Sequence, residues 1–322
     1  MQVFQRPQVL APSRGTGNGK VGAVILNFND GSLLCSCLDS LLRQTYRDIT
    51  PIIVDNDSSD DSVNQVSSKF GGRFVLIRNQ PNIGTGARNI GIKKALELGC
   101  EFVFVTDGDT VSDPTEIELL IRTMREDPTV GFAGASAYEA NRGNAAPIVA
   151  VNPWTADTET LRFSPTTAET AAVGTAMIRK DVFSRVGFYN PHYFAYYEDT
   201  DLCFRVRSAG YKVVIVPRAL YHHYSATSVK KVYGIGGLLS IRNRFMFVRT
   251  ILPPESWLKF FLFHPALVVR TVLFWLARRS FRDLLMALVG YASGLAFLLR
   301  GEEPRAFRRL YRQLLGNHVS FS

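Results

Sequence analysis

Two aspartates one residue apart, Asp107 and Asp109, close an apolar run, Glu101-Phe-Val-Phe-Val-Thr106. Carboxylates so spaced can address one hard cation from the same side, and Mg²⁺ or Mn²⁺ completes its shell with phosphate oxygens. Such a cation offsets the negative charge that grows on a leaving diphosphate. An ordinary turn accounts for Asp-Gly-Asp equally well, with Gly108 lending flexibility. A second acidic group, Glu198-Asp-Thr-Asp201, follows the aromatic run Tyr193-Phe-Ala-Tyr-Tyr197. Carboxylates this close repel one another, which raises at least one pKa toward that of a useful base. Acids in a first helical turn are also common caps. The aromatic run reads as an apolar wall or a sugar-stacking surface. Asp55-Asn-Asp-Ser-Ser-Asp60 offers short polar side chains, Asp55 and Asp57 among them, to a base and ribose, or else caps the next helix. His222-His223 supplies imidazoles that can ligate a metal or lie inert on the surface. Arg242-Asn-Arg244 can meet a diphosphate or form a solvated helix face.

The elements that must position these groups follow from hydrophobic period. Continuous apolar runs at Val21–Leu26, Thr50–Val54, Phe74–Ile77, Glu101–Thr106 and Val130–Gly134 read as buried strands. Ala172–Ile178 and Tyr211–Val216 read as further strands. Helical patterns fall between them: Leu33 to Leu42, a turn through Val63 and Val66, Ala87 to Leu98, Glu116 to Arg125, and Glu198 to Ala209 closed by Gly210. Strands alternating with helices imply an α/β fold with a doubly wound, mostly parallel sheet. Ligands of such sheets sit beyond the carboxyl ends of the strands, and the clusters after strands Thr50–Val54 and Glu101–Thr106 lie at such ends. Asn141 to Pro165 is polar and aperiodic, a loop or short hairpin over the site.

Several function classes drop out. Gly15-Thr-Gly-Asn-Gly-Lys20 precedes the first strand, lacks the spacing of a phosphate loop and is followed by Val21. No dinucleotide fingerprint follows the first strand, where Asn27-Phe-Asn29 stands instead, which argues against a nicotinamide enzyme. The four cysteines (Cys35, Cys37, Cys100 and Cys203) have neither metal nor redox spacing and read as reduced thiols suited to a cytosol. The net charge of +9 is concentrated beyond Ser256, where ten bases face three acids amid long apolar runs. That pattern favours a membrane surface over a nucleic acid. Leu284 to Leu299 is uncharged but short of the ~20 residues that span a bilayer. Trp257 to Ala277 is apolar but interrupted by Lys259, His264, Pro265 and Arg270. Glu303 to Leu315 is basic and amphipathic, with Phe307, Leu310, Tyr311 and Leu314 on its apolar face. It suits either a membrane interface or a helical cap on the α/β domain. The chain thus divides into a polar leader, 1–20, read as disordered, an α/β domain, 21–250, and an apolar, basic helical extension, 251–322.

Taken in order, these pieces resemble the family-2 glycosyltransferases of GT-A fold. The series is Val24-Ile-Leu-Asn-Phe-Asn29, Val54-Asp-Asn-Asp-Ser-Ser-Asp60 and Asn82-Ile-Gly-Thr-Gly-Ala-Arg-Asn89, then Asp107-Gly-Asp109 and Gly174-Thr-Ala-Met-Ile-Arg179. It ends with Gly187-Phe-Tyr189, Glu198-Asp-Thr-Asp-Leu202 with Arg205, and His223. Bacterial rhamnosyltransferase-like members that build surface polysaccharides are the most similar in pattern. The resemblance implies inverting transfer of a sugar, rhamnose among the candidates, from a nucleotide-sugar donor to a lipid-linked saccharide acceptor. It implies that Asp55, with Asn27 and Asn29 beside it, recognises the donor base. Asn82, Gly84, Arg88 and Asn89 would border the nucleotide and diphosphate. Asp107 would sit near ribose and metal, Asp109 would bind Mn²⁺ or Mg²⁺, and Asp199 would be the general base. Glu198 would orient the base or acceptor, with Asp201 and Arg205 behind it. Counting from Pro217 makes His223 the third metal ligand, whereas counting back from Ser225-Ala-Thr makes it His222; the first is preferred. Asn190 stands where the family often has an acid, which touches acceptor recognition. The expected donor is dTDP-, UDP- or GDP-linked, and the expected attachment is peripheral or shallow, on the inner face of the cytoplasmic membrane. Two rivals are a sugar nucleotidyltransferase, whose Gly-rich first loop is missing after Leu26, and a non-catalytic membrane scaffold.

Overall fold

The computed structural model describes residues 19–139, 148–151, 158–161, 174–224, 236–252, 254–302 and 305–315. Most of the leader, much of the polar segment 141–165, the start of the strand expected from Ala172, and Ser225-Ala-Thr lie outside the described residues.

Strands β1 (Val21–Asn27), β2 (Ile49–Asn56), β3 (Val75–Asn79) and β4 (Phe102–Asp107) form the parallel half of an eight-stranded sheet. The other half is β5 (Thr110–Ser112), β6 (Val130–Glu139), β9 (Ala176–Arg179) and β10 (Lys212–His223), and the order across the sheet is β3-β2-β1-β4-β9-β6-β10-β5. β9 runs antiparallel to both β4 and β6. The short hairpin β7 (Ile148–Val151) and β8 (Thr158–Leu161) falls in the polar segment where a loop or hairpin was expected.

Continuous apolar runs became strands because helices cover both faces of the sheet. Val21, Val24 and Ile25 of β1 are fully buried, and each such side chain contributes roughly 1.5–3 kcal/mol. On one face β1 and β2 pack against α1 (Leu33–Leu42), α2 (Ser62–Phe70) and α4 (Glu116–Glu126) through Leu34, Leu38, Val66, Leu120 and Met124. On the other lie α3 (Arg88–Glu97), α5 (Lys180–Val186) and α6 (Glu198–Ser208), with Ile92, Val182 and Leu202 in the interface. The four cysteines are free and buried.

The parallel register sets the site. Asn27 pairs with Asp55 and Leu26 with Asp107, so the polar ends of β1, β2 and β4 lie side by side. β10 differs from expectation. Its pattern stops at Val216 because Pro217 lacks the N–H a ladder needs. The strand resumes past a bulge at Pro217, Arg218 and Ala219 and runs on to His223. There it pairs antiparallel with β5, His223 opposite Thr110, which returns the chain to the residues just after Asp109.

Among the described residues, four helices follow β10: α7 (Gly236–Ile251), α8 (Pro254–Ala277), α9 (Phe281–Arg300) and α10 (Arg305–Leu315). α8 is continuous through Pro265, and α9 extends past the uncharged run at both ends, so both are long and apolar enough to cross a membrane. α9 lies against α7, where Gly290 meets the Leu238 carbonyl and Gly294 the Phe245 ring. α8 leaves Leu258, Leu262, Phe263 and Leu273 exposed. α10 behaves as a cap: Tyr311 is fully buried with its hydroxyl 2.6 Å from Ser293 Oγ, and Phe307 packs toward Leu238 and Phe194. Part of its apolar face is therefore used within the protein.

Candidate active site

The site lies where β1, β2, β4 and β10 end and β5 and α6 begin. Its first component is a polar pocket. Asn27, fully buried at the end of β1, donates from Nδ2 to Asp55 Oδ1 at 2.8 Å and to Ser58 Oγ and Ser62 Oγ at 3.1 Å. Asn27 Oδ1 is buried without a partner. Asn29 Oδ1 accepts from the Ser59 and Asp60 amides and so ties the end of β1 to the turn after β2. Asp60 Oδ1 accepts from the Ser62 amide, while Oδ2 accepts from Gly31 N. Part of the Asp55–Asp60 cluster thus serves turn and helix start, as its residue types allow. Asp57 adopts a left-handed backbone at φ 68°.

Asn56, absent from the candidates, is the hub of the next shell. It donates to Asn82 Oδ1 and the Gly84 carbonyl and accepts from Asn79 and Ile83 N. Gly84 cannot be replaced without strain: its φ is +65°, and a Cβ would lie 2.1 Å from the Phe194 carbonyl oxygen. Gly108 has a different role from the flexibility first assigned to it. A Cβ there would sit 2.3 Å from Asp30 Oδ2, so the glycine makes room for a buried acid beside the Asp107–Asp109 turn. Burial pushes the Asp30 carboxyl well up, and the charges of Asp109 and Asp107 add to it.

Ligand atoms of Asp107, Asp109 and His223 lie within 4.8 Å of one another. His223 Nε2 is 3.2 Å from Asp109 Oδ1. Burial works against a charged His223 ring, but the Asp109 hydrogen bond and charge outweigh it and raise the pKa. Adjacent strand residues face opposite sides, so His222 is elsewhere, exposed and stacked on Tyr138 at 5.4 Å between ring centroids. Two carboxylates and an imidazole suit a divalent cation that takes oxygen and nitrogen donors.

Arg88 joins this group to the second acidic cluster. Its guanidinium lies 2.6 Å from Asp107 Oδ1, 3.5 Å from Glu198 Oε1 and 3.7 Å from Asp199 Oδ1, above the Tyr189 ring. Its side chain is only 5% exposed, so it acts as a buried counter-ion to three acids. Asn89 is bound at both ends of its amide to the Tyr189 backbone. Arg242 is buried, donating to the His192 carbonyl and Asn243 Oδ1, with its guanidinium over the Tyr311 ring.

Glu198 and Asp199 open α6. Burial raises both pKa values, with Asp199 adding to the rise of Glu198 and Asp107 to that of Asp199, while Arg88 pulls both down. Glu198 is the more enclosed of the two, and its Oε2 is buried without a partner. Glu198 therefore keeps its proton to higher pH, and Asp199 ionises first. Asp201 is spent on Arg205, at 2.5 Å, which in turn donates to the Val186 and Phe188 carbonyls. The aromatic run divides: Tyr193, Phe194 and Tyr197 are core residues, whereas Tyr196 is 37% exposed. Phe194, Tyr196 and Tyr197 all have positive φ, between 63° and 71°, a strain of about 1–3 kcal/mol each.

Comparison with known proteins bears on the family and the fold. An L-rhamnosyltransferase of Mycobacterium tuberculosis acting on N-acetylglucosaminyl-diphospho-decaprenol is 26% identical over 64% of this chain and 76% of its own. An uncharacterized glycosyltransferase of Escherichia coli, YaiP, is 26% identical over 72% of this chain and 60% of its own. Among solved structures, GalNAc-T7 with UDP, GalNAc and Mn²⁺ superimposes with a TM-score of 0.57 at 16% identity, covering 74% of this chain. Staphylococcus aureus TarS does so with a TM-score of 0.52 at 15% identity, again over 74% of this chain. The chain spans 51% and 41% of those two proteins, and the likeness is one of fold. Residues 23–187 match the family model for glycosyl transferase family 2; that span holds the polar pocket, Arg88 and the Asp107–Asp109 turn, while Glu198, Asp199 and His223 lie beyond it. With more than half of its length matching that family and its sheet superimposing on GT-A neighbours, the chain belongs to the family-2 glycosyltransferases of GT-A fold.

Proposed function

We propose that the chain is an inverting, metal-dependent glycosyltransferase that moves a sugar, rhamnose first among candidates, from a nucleotide donor to a lipid-linked saccharide. The observation that carries this reading is the juxtaposition, through buried Arg88, of Asp107 with its metal-ligand-like neighbours Asp109 and His223 and of Asp199 at the start of α6. Asn27, Asp55 and the turn around Asn82 and Gly84 take the nucleotide. Asp107, Asp109 and His223 hold the cation, which supplies charge neutralisation for the leaving diphosphate. The imidazole favours Mn²⁺ over Mg²⁺, which prefers all-oxygen shells. Asp199 removes the proton from the acceptor hydroxyl as that oxygen bonds to the anomeric carbon. The bond from that carbon to the diphosphate breaks on the opposite face, and its electron pair leaves with the nucleotide. Protonated Glu198 holds the acceptor or the base in line, and exposed Tyr196 offers a face for a sugar ring.

The exposed apolar face of α8, with Arg270, Arg278, Arg279 and Arg282 around and beyond its end, suits shallow attachment to an anionic membrane where a lipid-linked acceptor resides. The relative that uses a decaprenol-linked substrate supports that acceptor class. One experiment tests the whole reading. The full chain is incubated with Mn²⁺, anionic vesicles carrying polyprenyl-diphospho-N-acetylglucosamine, and dTDP-rhamnose, UDP-glucose or GDP-mannose. One donor is expected to be consumed with inversion at the anomeric carbon, read by proton NMR, and the protein is expected to float with the vesicles. A product of retained configuration contradicts the mechanism, and protein left at the bottom of the gradient contradicts the attachment.

A further inference from the structure

We infer that Asn243, on α7, is a positioning residue for the catalytic loop, holding the strained segment Tyr193–Tyr197 so that Asp199 meets the acceptor hydroxyl; this rests on Asp199 being the base. Four consecutive carbonyls, from Tyr193 at the end of the 3-10 turn Pro191–Tyr193 to Tyr196, accept from groups outside the segment. Three of them lie within hydrogen-bond distance of one nitrogen, whose two N–H groups they share. Asn243 Nδ2 lies 2.9 Å from the Tyr193 oxygen, 2.7 Å from that of Ala195 and 2.9 Å from that of Tyr196. The fourth, Phe194, accepts from Thr85 N at 2.7 Å and Thr85 Oγ1 at 3.1 Å. The loop is gripped between the turn that borders the nucleotide and a helix that follows the α/β core.

An amide is the group this place requires. It brings two N–H donors on one planar nitrogen, carries no charge, and sits fully buried on α7. A carboxylate of the same shape would turn oxygens toward three carbonyl oxygens. Neighbours on α7 act on the same segment: Arg242 donates to the His192 carbonyl, Thr250 Oγ1 lies 3.4 Å from the Tyr193 hydroxyl, and Phe247 packs on Tyr197. Left-handed conformations at Phe194, Tyr196 and Tyr197 persist only where surroundings over-determine them. The chain leaves this segment directly into Glu198 and Asp199, so an error in its path is an error in the base. Of the metal-side residues, Asp107 ends β4, His223 ends β10 and Asp109 lies in the turn before β5.

The distinction is testable by splitting turnover from binding. Asn243→Ala and Asn243→Asp are compared with wild type in the full chain, using whichever of dTDP-rhamnose, UDP-glucose or GDP-mannose supports turnover, and UDP with Mn²⁺ as the binding probe. kcat is expected to fall about 100-fold in Asn243→Ala, the loss typical of a reacting group misplaced by an ångström. Asn243→Asp should be no better. Donor KM and the affinity for UDP with Mn²⁺ should stay within about twofold of wild type. Asn243→Ser keeps one donor and should recover part of kcat, and it serves where the alanine variant folds poorly. A kcat within threefold of wild type in Asn243→Ala, or equal losses in kcat and nucleotide affinity, overturns the inference. Asp199→Asn is the control: if it leaves turnover intact, the base assignment fails, whereas its loss alongside a fully active Asn243→Ala removes only the present inference.

Discussion

Replacing the proposed base, Asp199→Asn, is expected to lower kcat by about 10²–10⁴-fold, the usual weight of a positioned general base. The substitution is nearly isosteric and removes one acid from a trio paired with Arg88, so the fold should be kept. Nucleotide affinity in Mn²⁺ should not change, because Asn27, Asp55, Asp107, Asp109 and His223 are untouched. The pH dependence follows with a definite sign. Burial and Asp107 raise the Asp199 pKa, so wild-type kcat climbs with pH as the base loses its proton and falls as pH drops through that raised value. In Asp199→Asn that limb should vanish. Steady-state rates across pH, with nucleotide titrations alongside, check both statements. Loss of nucleotide affinity in parallel with kcat would place Asp199 in binding instead.

Arg88→Met should be the most disruptive single change to the fold of the site. It keeps an apolar stem over Tyr189 but removes the guanidinium paired with Asp107, Glu198 and Asp199. Removing one partner of a buried ion pair typically costs about 3–5 kcal/mol. The acids answer by holding their protons more tightly, which gives the loss a pH dependence. A carboxyl whose folded pKa lies above its unfolded value binds more protons when folded, so stability falls as pH rises from the unfolded toward the folded pKa. Denaturant unfolding should therefore find the variant closer to wild type near pH 5 than near pH 8. Its kcat should also need a higher pH. A pH-independent difference from wild type would mean that Arg88 acts by packing alone.

Much of this site was legible in the sequence because its parts sit where strands stop. An apolar run ending in polar residues fixes both a buried strand and the exit of its chain toward a ligand, as with Val21–Leu26 into Asn27 and Thr50–Val54 into Asp55. Residue type also separated Asp107 and Asp109 as ligands able to share a cation. What escaped were features created by pairing. β5 is three residues long and carries no pattern of its own; it exists because β10 returns past Pro217 to meet it. That pairing is also what separates His223 from His222, a choice that counting along the chain left ambiguous. The family resemblance set Arg88 beside nucleotide and diphosphate, but gave no sign of the three acids around it, which come from β4 and α6. In Arg242-Asn-Arg244 the charged residues drew attention, while the amide between them does the positioning. Buried amides have no periodic signature, and only the carbonyls they face reveal them.

The most direct test of the account is calorimetric titration of a nucleoside diphosphate into the full chain with and without Mn²⁺, repeated for Asp109→Ala, His223→Ala and His222→Ala. The account predicts binding that depends on Mn²⁺, is lost in Asp109→Ala, weakens about 10–100-fold in His223→Ala as removal of part of a metal shell does, and is unchanged in His222→Ala. Equal affinity in the presence of a chelator, or a loss in His222→Ala that His223→Ala does not share, would contradict it.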